Sequence, residues 1–270
     1  MNTVASSGRL TVEKLHGLGN DFLVLLDAPA HAGAGGDLAR RLCDRHRGIG
    51  ADGLIRGARA GAGLTFHLWN ADGSEAEMSG NGVRCLAHAA LDRGWVAEDE
   101  PFDVLTPAGA KAVTIRRGPR PEQAWATVAM GQAKVEGEAD RCNVGHGHLH
   151  VDMGNPHLVV LGADPATLDV ATLGPALEAS SPAGVNVEFV TLGPGPDEIT
   201  MRVWERGVGE TEACGTGSCA AAVALHHWGR VGSAVTVHQP GGSAVVRLLD
   251  DSAVTLAGPS EHVASCSVLP

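Results

Sequence analysis

The feature that most constrains this chain is an internal repeat with an offset of 135 positions, half of its 270 residues. The segment Glu75–Ala87 reads EAEMSGNGVRCLA, and the segment Glu210–Ala222 reads ETEACGTGSCAAA. Both place a small residue before Gly-x-Gly and an apolar helical pattern after it, but the small residue is Ser79 in the first and Cys214 in the second. A chain built this way is expected to fold as two similar halves.

A second block repeats at the same offset. Its matching pairs are Gly19-Asn20 with Gly154-Asn155 and Leu23-Val24 with Leu158-Val159, while Trp69 matches Trp204 just before the first block. Small residues match by chance, but two separated blocks with one offset favour a duplicated domain over coincidence. We therefore place the two halves at residues 1–130 and 131–270, with the last strand, residues 261–270, able to pack back on the first half.

The local patterns predict an α/β fold (α+β) in which strands outnumber helices. Runs of β-forming residues predict strands at Leu64–Trp69, Phe102–Thr106, Ala112–Arg116, Ala124–Met130, Leu158–Leu161, Val185–Thr191, Ile199–Trp204, Ala234–His238 and Ala244–Leu249. Helical spacing predicts helices at Asp37–His46, from Gly80 to a stop at Gly94, at Ala166–Ser180 and at Gly217–Trp228. The last helix is apolar nearly all round, which indicates burial inside a sheet. The weakly patterned stretch Gly131–Gly147 is predicted to be a linker.

Charge and cysteine content narrow the class of partner and the compartment. The formal net charge of −11 argues against a nucleic-acid or anionic-membrane surface and favours a small-molecule partner. The chain has no apolar run of bilayer length, and its first residues, MNTVASSG, do not resemble a signal peptide. Its six cysteines lack the spacing of a zinc site. We therefore expect a cytoplasmic protein with free thiols and no metal.

The repeated Gly-x-Gly element suggests the chemistry. A glycine-rich helix start leaves backbone N–H groups available to an anion such as a carboxylate. The same field is expected to favour the thiolate of Cys214. Taken alone, Cys214 reads better as a small buried residue at a helix start, but the repeat favours a reactive group. Two such groups on opposite faces of one carbon are what a two-base proton transfer needs.

Other polar residues suggest an amino-acid substrate. Arg206 can clamp a carboxylate and Glu205 can accept from an ammonium, although two exposed neighbouring charges explain an isolated Glu-Arg pair about equally well. Five asparagines sit beside glycine, proline or strand ends, where a turn role is the simplest interpretation of each. These are Asn20, Asn70, Asn81, Asn155 and Asn186. Their recurrence in the repeated blocks favours a polar binding pocket.

Three other features of the sequence suggest different functions. GIGADG (Gly48–Gly53) matches a dinucleotide fingerprint, but a charged helical stretch precedes it where a strand is required. HGHLH (His146–His150) could bind a metal, but alternating histidines on a short strand more often form a solvated face. Pyridoxal phosphate is a rival for amino-acid racemisation, but the three lysines, Lys14, Lys111 and Lys134, have no distinctive setting.

Six motifs, in order across nearly the whole chain, resemble those of the diaminopimelate epimerase family. They are HGLGNDF (His16–Phe22), WNADGSEAEMSGNGVRC (Trp69–Cys85), GNPH (Gly154–His157), GVN (Gly184–Asn186), ERGVGET (Glu205–Thr211) and ACGTGSCAAA (Ala213–Ala222). The resemblance implies two pseudo-symmetric domains, each a curved mixed sheet around a central helix, with the active site in the cleft between them. It implies cofactor-independent interconversion of L,L- and meso-diaminopimelate, in the route to lysine and peptidoglycan. It also suggests a homodimer and a cleft that closes.

The resemblance also assigns roles by position. Cys214 and Ser79 take the places of the two catalytic groups, and His157 lies beside them. Substrate-binding residues are expected to be Asn20, Asn70, Asn155, Asn186, Glu205 and Arg206, with Asn70 and the last three at the distal, non-reacting centre. Gly80-Asn81 and Gly215-Thr216 would hold the reacting carboxylate at the two helix starts.

The chain departs from the family pattern at two positions. Gly53 stands where the family usually has a glutamine near the substrate, which loosens one expected contact. Ser79 stands where the family has its first catalytic cysteine, and a serine hydroxyl is a poor base without a helper. A natural Ser/Cys epimerase, an engineered substitution and a racemase or eliminase of another substrate all explain Ser79. A non-catalytic amino-acid-binding protein explains it as well.

Overall fold

The computed structural model describes residues 8–28, 35–138, 144–162 and 164–269. These residues form two compact units. The first is drawn from residues 1–17, 21–126 and 259–270, and the second from residues 18–20 and 127–258. The chain passes through the second unit at residues 18–20, enters it again after residue 126 and returns to the first unit after residue 258. The predicted division at residues 130 and 131 stays a prediction.

The first unit contains eight strands and two helices in its described part. In chain order they are β1 (Leu10–Gly17), β2 (Asn20–Leu26), α1 (Gly35–Cys43), β3 (Gly53–Ala60), β4 (Gly63–Asn70), β5 (Glu75–Ala76), α2 (Gly80–Asp92), β6 (Phe102–Thr106), β7 (Gly109–Arg117) and β8 (Gln123–Gln132). Strand β8 runs on into the second unit.

Apart from an additional first strand and a 3-10 helix, the second unit repeats this order. Its elements are β9 (Lys134–Glu138), β10 (Gly147–Asp152), β11 (Pro156–Leu161), a 3-10 helix (Pro165–Thr167), α3 (Val170–Glu178), β12 (Asn186–Leu192), β13 (Glu198–Glu205), β14 (Gly209–Thr211), α4 (Gly215–His227), β15 (Ala234–Gln239), β16 (Gly242–Leu248) and β17 (Ala253–Val268). The last residues of β17 belong to the first unit.

The strand pairings of the two units follow one scheme. In the first unit β2 runs parallel to β3, β3 antiparallel to β4, β4 parallel to β6 and β6 antiparallel to β7. In the second unit β11, β12, β13, β15 and β16 pair in the same sequence of directions. The duplication read from the sequence is therefore a duplication of topology, and the prediction of two similar mixed sheets is confirmed.

A central helix fills each sheet. Helix α2 contacts β1, β3, β4 and β7, and α4 contacts β10 to β13, β15 and β16. One helix can touch strands from across a sheet only when the sheet curves around it. Helix α4 buries small and apolar residues such as Ala220, Ala221 and Ala222, all without solvent exposure, as its apolar pattern predicts, and exposes His226 and His227 at its end.

Each unit also packs an outer helix against an equivalent tryptophan. A Cβ atom at Gly35, in α1, would lie 2.3 Å from the Trp69 ring, and one at Gly174, in α3, would lie 2.4 Å from the Trp204 ring. Only glycine allows such an approach of helix backbone to an indole. The repeat therefore extends to packing details outside the matching motifs.

The predicted elements are recovered with shifted ends, and some were missed. The predicted helix Ala166–Ser180 is divided, because Asp164 caps the 3-10 helix and Asp169 caps a separate helix, α3. The predicted linker Gly131–Gly147 is wrong in part, because it contains strand β9, while residues 139–143 lie outside the described residues. Strands β1, β2 and β3 were not predicted.

None of the helices within the described ranges is long and apolar enough to cross a bilayer. Five cysteines in those ranges are free thiols, Cys43, Cys85, Cys214, Cys219 and Cys266. Cys142, the sixth, lies outside the described residues.

Candidate active site

Ser79 forms the N-cap of α2. Its backbone is extended, with φ −142° and ψ 122°, and its Oγ accepts a hydrogen bond from the Gly82 N–H at 3.1 Å. Serine is a favoured cap because its hydroxyl satisfies one of the amides that a helix start leaves unpaired. Gly80 and Asn81 fill the first turn, so their backbone amides lie where an anion can approach.

A buried arginine supports this helix start. The Arg84 guanidinium donates to Asn81 Oδ1 at 2.7 Å and to the Pro259 carbonyl at 3.3 Å, and Arg84 has no solvent exposure. No sequence motif assigns a role to Arg84. A charged residue in the apolar stripe of a helix was the available signal, since such residues are rarely buried without a specific role.

Asn70 and Gly53 face each other at the ends of β4 and β3. Asn70 is exposed, and its Nδ2 donates to Ser74 Oγ at 3.0 Å, as in the turn role that its sequence setting suggests. A Cβ atom at Gly53 would lie 2.8 Å from the Trp69 carbonyl oxygen. The backbone of β3 and β4 is therefore packed for glycine at the position where the family pattern usually has glutamine.

Cys214 forms the N-cap of α4 in nearly the same geometry as Ser79. Its φ and ψ are −123° and 122°, and its Sγ accepts from the Gly217 N–H at 3.4 Å. The thiol also donates to Glu205 Oε2 at 3.4 Å and lies 3.6 Å from Thr216 Oγ1. Its backbone N–H donates to Gln239 Oε1 at 2.9 Å. Gly215 and Thr216 form the first turn.

The expected thiolate at Cys214 is wrong for this state of the protein. Burial raises the thiol pKa well above its ordinary value, and the charges of Glu205 and Glu188 raise it further. The bonds from the Gly217 amide and Thr216 act in the opposite direction and are smaller. Cys214, only 5% exposed, is therefore a thiol at neutral pH.

The hydroxyl of Thr211 holds Glu205 next to Cys214. Thr211 Oγ1 donates to Glu205 Oε1 at 2.5 Å, so both carboxylate oxygens are engaged, one by the threonine and one by the thiol. Burial raises the pKa of Glu205 above its ordinary value. A carboxylate with a raised pKa is a better proton acceptor, and this one contacts the thiol directly.

His157 lies fully buried behind this helix start. Its Nδ1 is 2.7 Å from Glu188 Oε1, and neither residue has any solvent exposure. Its Nε2 is 3.0 Å from Asn155 Oδ1. Neither Glu188 nor its contact with the predicted site residue His157 was anticipated. The charged residue inside the apolar run Val185–Thr191 was the signal that could have found it.

Asn186 and Arg206 are joined through the backbone. The Arg206 N–H donates to Asn186 Oδ1 at 3.0 Å, and Asn186 Nδ2 donates to the Pro156 carbonyl at 2.9 Å. The Arg206 guanidinium is exposed and donates to the Ala183 carbonyl at 3.2 Å. Asn186 thus ties together the segments that carry His157 and Arg206.

Asn20 belongs to the second unit although it is distant in sequence. The preceding Gly19 has a φ of +84°, as its repeat partner Gly154 has a φ of +93°. A Cβ atom at Gly19 would lie 2.1 Å from Glu212 Oε2, and one at Gly241 would lie 1.9 Å from the Leu18 carbonyl oxygen. These close approaches explain why residues 18–20 pack with residues of the second unit.

The predicted site residues therefore divide between the two units. The first unit holds Ser79, Gly80, Asn81 and Asn70, which we call the serine half-site. The second unit holds Asn20, Asn155, His157, Asn186, Glu205, Arg206, Cys214, Gly215 and Thr216, which we call the cysteine half-site.

The predicted solvated face of the histidine motif HGHLH is wrong for one residue. His148 is buried, and its Nε2–H donates to the Val144 carbonyl at 2.6 Å. His146 is exposed. Within the described ranges, no group of three or more histidine, cysteine, aspartate or glutamate residues is arranged to hold a metal ion.

Sequence comparison links the chain to one family over both halves. The family model described as diaminopimelate epimerase matches residues 12–136 and 149–263. A diaminopimelate epimerase of Desulforudis audaxviator is 43% identical over 272 residues, covering 93% of this chain and 96% of that protein. One of Desulfitobacterium hafniense is 39% identical over 275 residues, covering 94% and 96%.

Structural comparison gives the same fold among more distant proteins. A predicted epimerase from Pseudomonas aeruginosa superposes with a TM-score of 0.75 at 18% identity, covering 97% of this chain and 99% of that one. A probable proline racemase from Agrobacterium radiobacter, with bound carbonate, superposes with a TM-score of 0.71 at 21% identity, covering 96% and 92%. At these identities the likeness shows the fold alone.

Proposed function

The chain belongs to the diaminopimelate epimerase family, and we propose that it interconverts L,L- and meso-diaminopimelate by cofactor-independent proton transfer at the α-carbon. This reaction would serve lysine and peptidoglycan-precursor synthesis. The observation that carries the proposal is the matched pair of helix starts. Ser79 and Cys214 cap equivalent helices in the same backbone geometry, and Cys214 has a carboxylate 3.4 Å from its sulfur. No cofactor is required for this chemistry.

Glu205 provides a route to the reactive form of Cys214. The thiol passes its proton to the Glu205 carboxylate, and the resulting thiolate removes the α-proton of the substrate. Ser79 delivers its hydroxyl proton to the opposite face of the carbanion and is left as an alkoxide, while Cys214 carries the α-proton and Glu205 carries the proton of the thiol. The resting state returns when Glu205 releases its proton to water and the alkoxide takes one from water. A two-base reaction requires that both side chains reach the same carbon.

The serine makes the reaction slow in both directions. A serine hydroxyl can donate a proton, but it is a very weak acid and a poor base. Forward turnover leaves its alkoxide and reverse turnover begins from it, and this alkoxide is hard to form at neutral pH. The equilibrium constant fixes the ratio of the forward and reverse rates, so one direction cannot be spared. We place a natural Ser/Cys epimerase ahead of an engineered variant or a different substrate.

The other predicted site residues are proposed to bind the substrate. Backbone amides at Gly80-Asn81 and Gly215-Thr216 suit the reacting carboxylate, because helix starts carry a partial positive charge. The exposed guanidinium of Arg206 suits the distal carboxylate. The amides of Asn20, Asn70, Asn155 and Asn186 complete the set, and Glu205 acts both there and on Cys214. A cytoplasmic homodimer, with halves 1–130 and 131–270, is part of the same proposal.

Hydrogen exchange from D2O tests the proposal. We expect slow incorporation of deuterium at the α-carbon of diaminopimelate by the native protein, and incorporation about 10²-fold faster by Ser79→Cys, because a thiol restores the second base. Ser233→Cys, which adds a thiol at an exposed position of the second unit, serves as the matched control and should behave as the native protein. Absence of exchange in both the native protein and Ser79→Cys contradicts the epimerase; tight calorimetric binding without exchange would then favour an amino-acid-binding protein.

A further inference from the structure

Strand β12 carries a buried carboxylate where the first unit carries an alkyl side chain. In the strand registers, Glu188 pairs with Val203 as Ile55 pairs with Leu68. Each lies under the first turn of its central helix. A Cβ atom at Gly82 would lie 3.1 Å from Ile55 Cδ1, and a Cβ atom at Gly217 would lie 2.7 Å from Glu188 Oε1.

The partner of Glu188 differs between the units in the same way. His157 pairs with Asn186 as Phe22 pairs with Gly53, so His157 and Phe22 are equivalent, and they stand 135 positions apart like Ser79 and Cys214. A buried His157–Glu188 pair thus replaces a phenylalanine and an isoleucine on the same scaffold. Burying these polar groups costs free energy that the apolar pair does not, so stability alone does not account for them.

One oxygen of the Glu188 carboxylate makes no hydrogen bond within the described residues. Glu188 Oε1 takes the bond from His157, while Oε2 is buried with no hydrogen-bond partner among the described residues. An unsatisfied buried carboxylate oxygen is costly and is expected at functional sites rather than in scaffolding. A Cβ atom at Gly217 would lie 2.7 Å from Glu188 Oε1 and 3.3 Å from Cys214 Sγ. Glu188 therefore lies next to the N-cap residue that carries the thiol.

We propose that Glu188 is a positioning residue of the cysteine half-site, which fixes the imidazole of His157 and places a negative charge beside the cap of α4. The inference rests on the proposed function in that Cys214 is taken as the reacting group. Two ionisable side chains act on this thiol, Glu205 from β13 and Glu188 from β12. His157 from β11 contacts Glu188. Glu212, two residues before Cys214, turns toward Gly19 instead.

The charge of Glu188 keeps the thiol protonated between turnovers. Its field adds to burial and to Glu205 in raising the pKa of Cys214. The thiolate therefore forms only when Glu205 takes the proton, which couples activation of the base to one defined contact. Glu188 contributes by holding the resting state and the ring, without touching the reacting carbon.

Alkylation of Cys214 by iodoacetamide at a series of pH values tests this role, with Cys214→Ala as the blank. Glu188→Gln keeps the shape and removes the charge, and Glu188→Ile restores the residue type of the first unit. Because only the thiolate reacts, both variants should be alkylated about tenfold faster than the native protein below the thiol pKa. The matched control is Glu198→Gln, which disrupts another histidine–glutamate pair, Glu198–His238, at the far end of β13.

A turnover measurement completes the test. Glu188→Ile should lower kcat about tenfold or more with KM within about twofold, since the imidazole loses its bond to Glu188 but keeps the one to Asn155, a proposed substrate-binding residue. Alkylation profiles of both variants that overlay those of the native protein and Glu198→Gln would overturn the proposal. Alkylation does not depend on turnover. If the protein does not epimerise diaminopimelate, the deuterium exchange experiment fails, but the alkylation rates still test the role of Glu188.

Discussion

The serine and cysteine half-sites share a backbone and differ in what lies behind it. Both caps are extended residues whose side chain accepts from the amide three positions on. Behind Ser79 the equivalent positions hold Phe22 and Ile55; behind Cys214 they hold His157 and Glu188. Duplication thus supplied the scaffold twice, whereas the groups that control ionisation were placed in one copy.

The difference teaches which side of the reaction the protein controls. The thiol is buried and held against Glu205, whose carboxylate is itself held by Thr211. The serine hydroxyl is half-buried and engaged by the Gly82 amide. A thiol is worth this control because small changes around it move its ionisation near neutral pH, whereas a serine stays protonated in either environment.

Removing the Cys214 thiol should have the largest effect on the activity of the two half-sites. Cys214→Ala leaves the cap geometry to the backbone and eliminates the side chain that reaches an ionised form, so deuterium exchange should fall by about 10³-fold or more. Cys219→Ala, in the same helix and fully buried, is the matched control and should retain exchange within about tenfold. Retention of exchange in Cys214→Ala would place the base elsewhere.

Converting the cysteine half-site to the apolar type should separate stability from activity. His157→Phe combined with Glu188→Ile copies the pair found behind Ser79. We expect the free energy of unfolding to stay equal or to rise by about 1–4 kcal/mol, because a buried polar histidine–glutamate pair is replaced by packed apolar groups. Urea denaturation and deuterium exchange together check this. A large loss of stability would show that the two scaffolds are less alike than their registers indicate.

A paired glycine substitution tests how closely the two helix starts are packed. Gly217→Ala brings a methyl group within 2.7 Å of a buried carboxylate oxygen, whereas Gly82→Ala brings one within 3.1 Å of a flexible isoleucine methyl. We expect Gly217→Ala to cost about 1–3 kcal/mol and Gly82→Ala less than about 1 kcal/mol. Equal costs, measured by thermal unfolding, would argue against the contact between Glu188 and α4.

The repeat made the equivalent positions predictable, but not their surroundings. An offset of 135 carries Ser79 to Cys214 and Trp69 to Trp204 without any knowledge of the strands. The groups that act on Cys214 come from other strands, as with Gln239, which accepts its N–H from 25 positions further on. Glu188, which no motif pointed to, left a sign in the sequence as a charge within an apolar run.

The direction of the pKa shift of Cys214 shows why a sequence motif alone does not predict its ionisation. A helix start favours an anion by about 0.3–1 kcal/mol at an exposed site. Full burial can shift a pKa by several units in the opposite direction, and two nearby carboxylates add to the shift. Burial and neighbours are properties of the folded chain, so the motif predicted the smaller effect and missed the larger one.

The closing strand of the first unit has a consequence for biosynthesis on the ribosome. Strand β1 pairs with the end of the chain, from Leu10 with Val268 to His16 with Glu261. Inside that unit the buried Arg84 and His88 of α2 bond to Pro259 and Ser260. Until those residues emerge, the nascent first unit has an open sheet and a helix with unsatisfied buried groups, so the part of the protein made first is completed last.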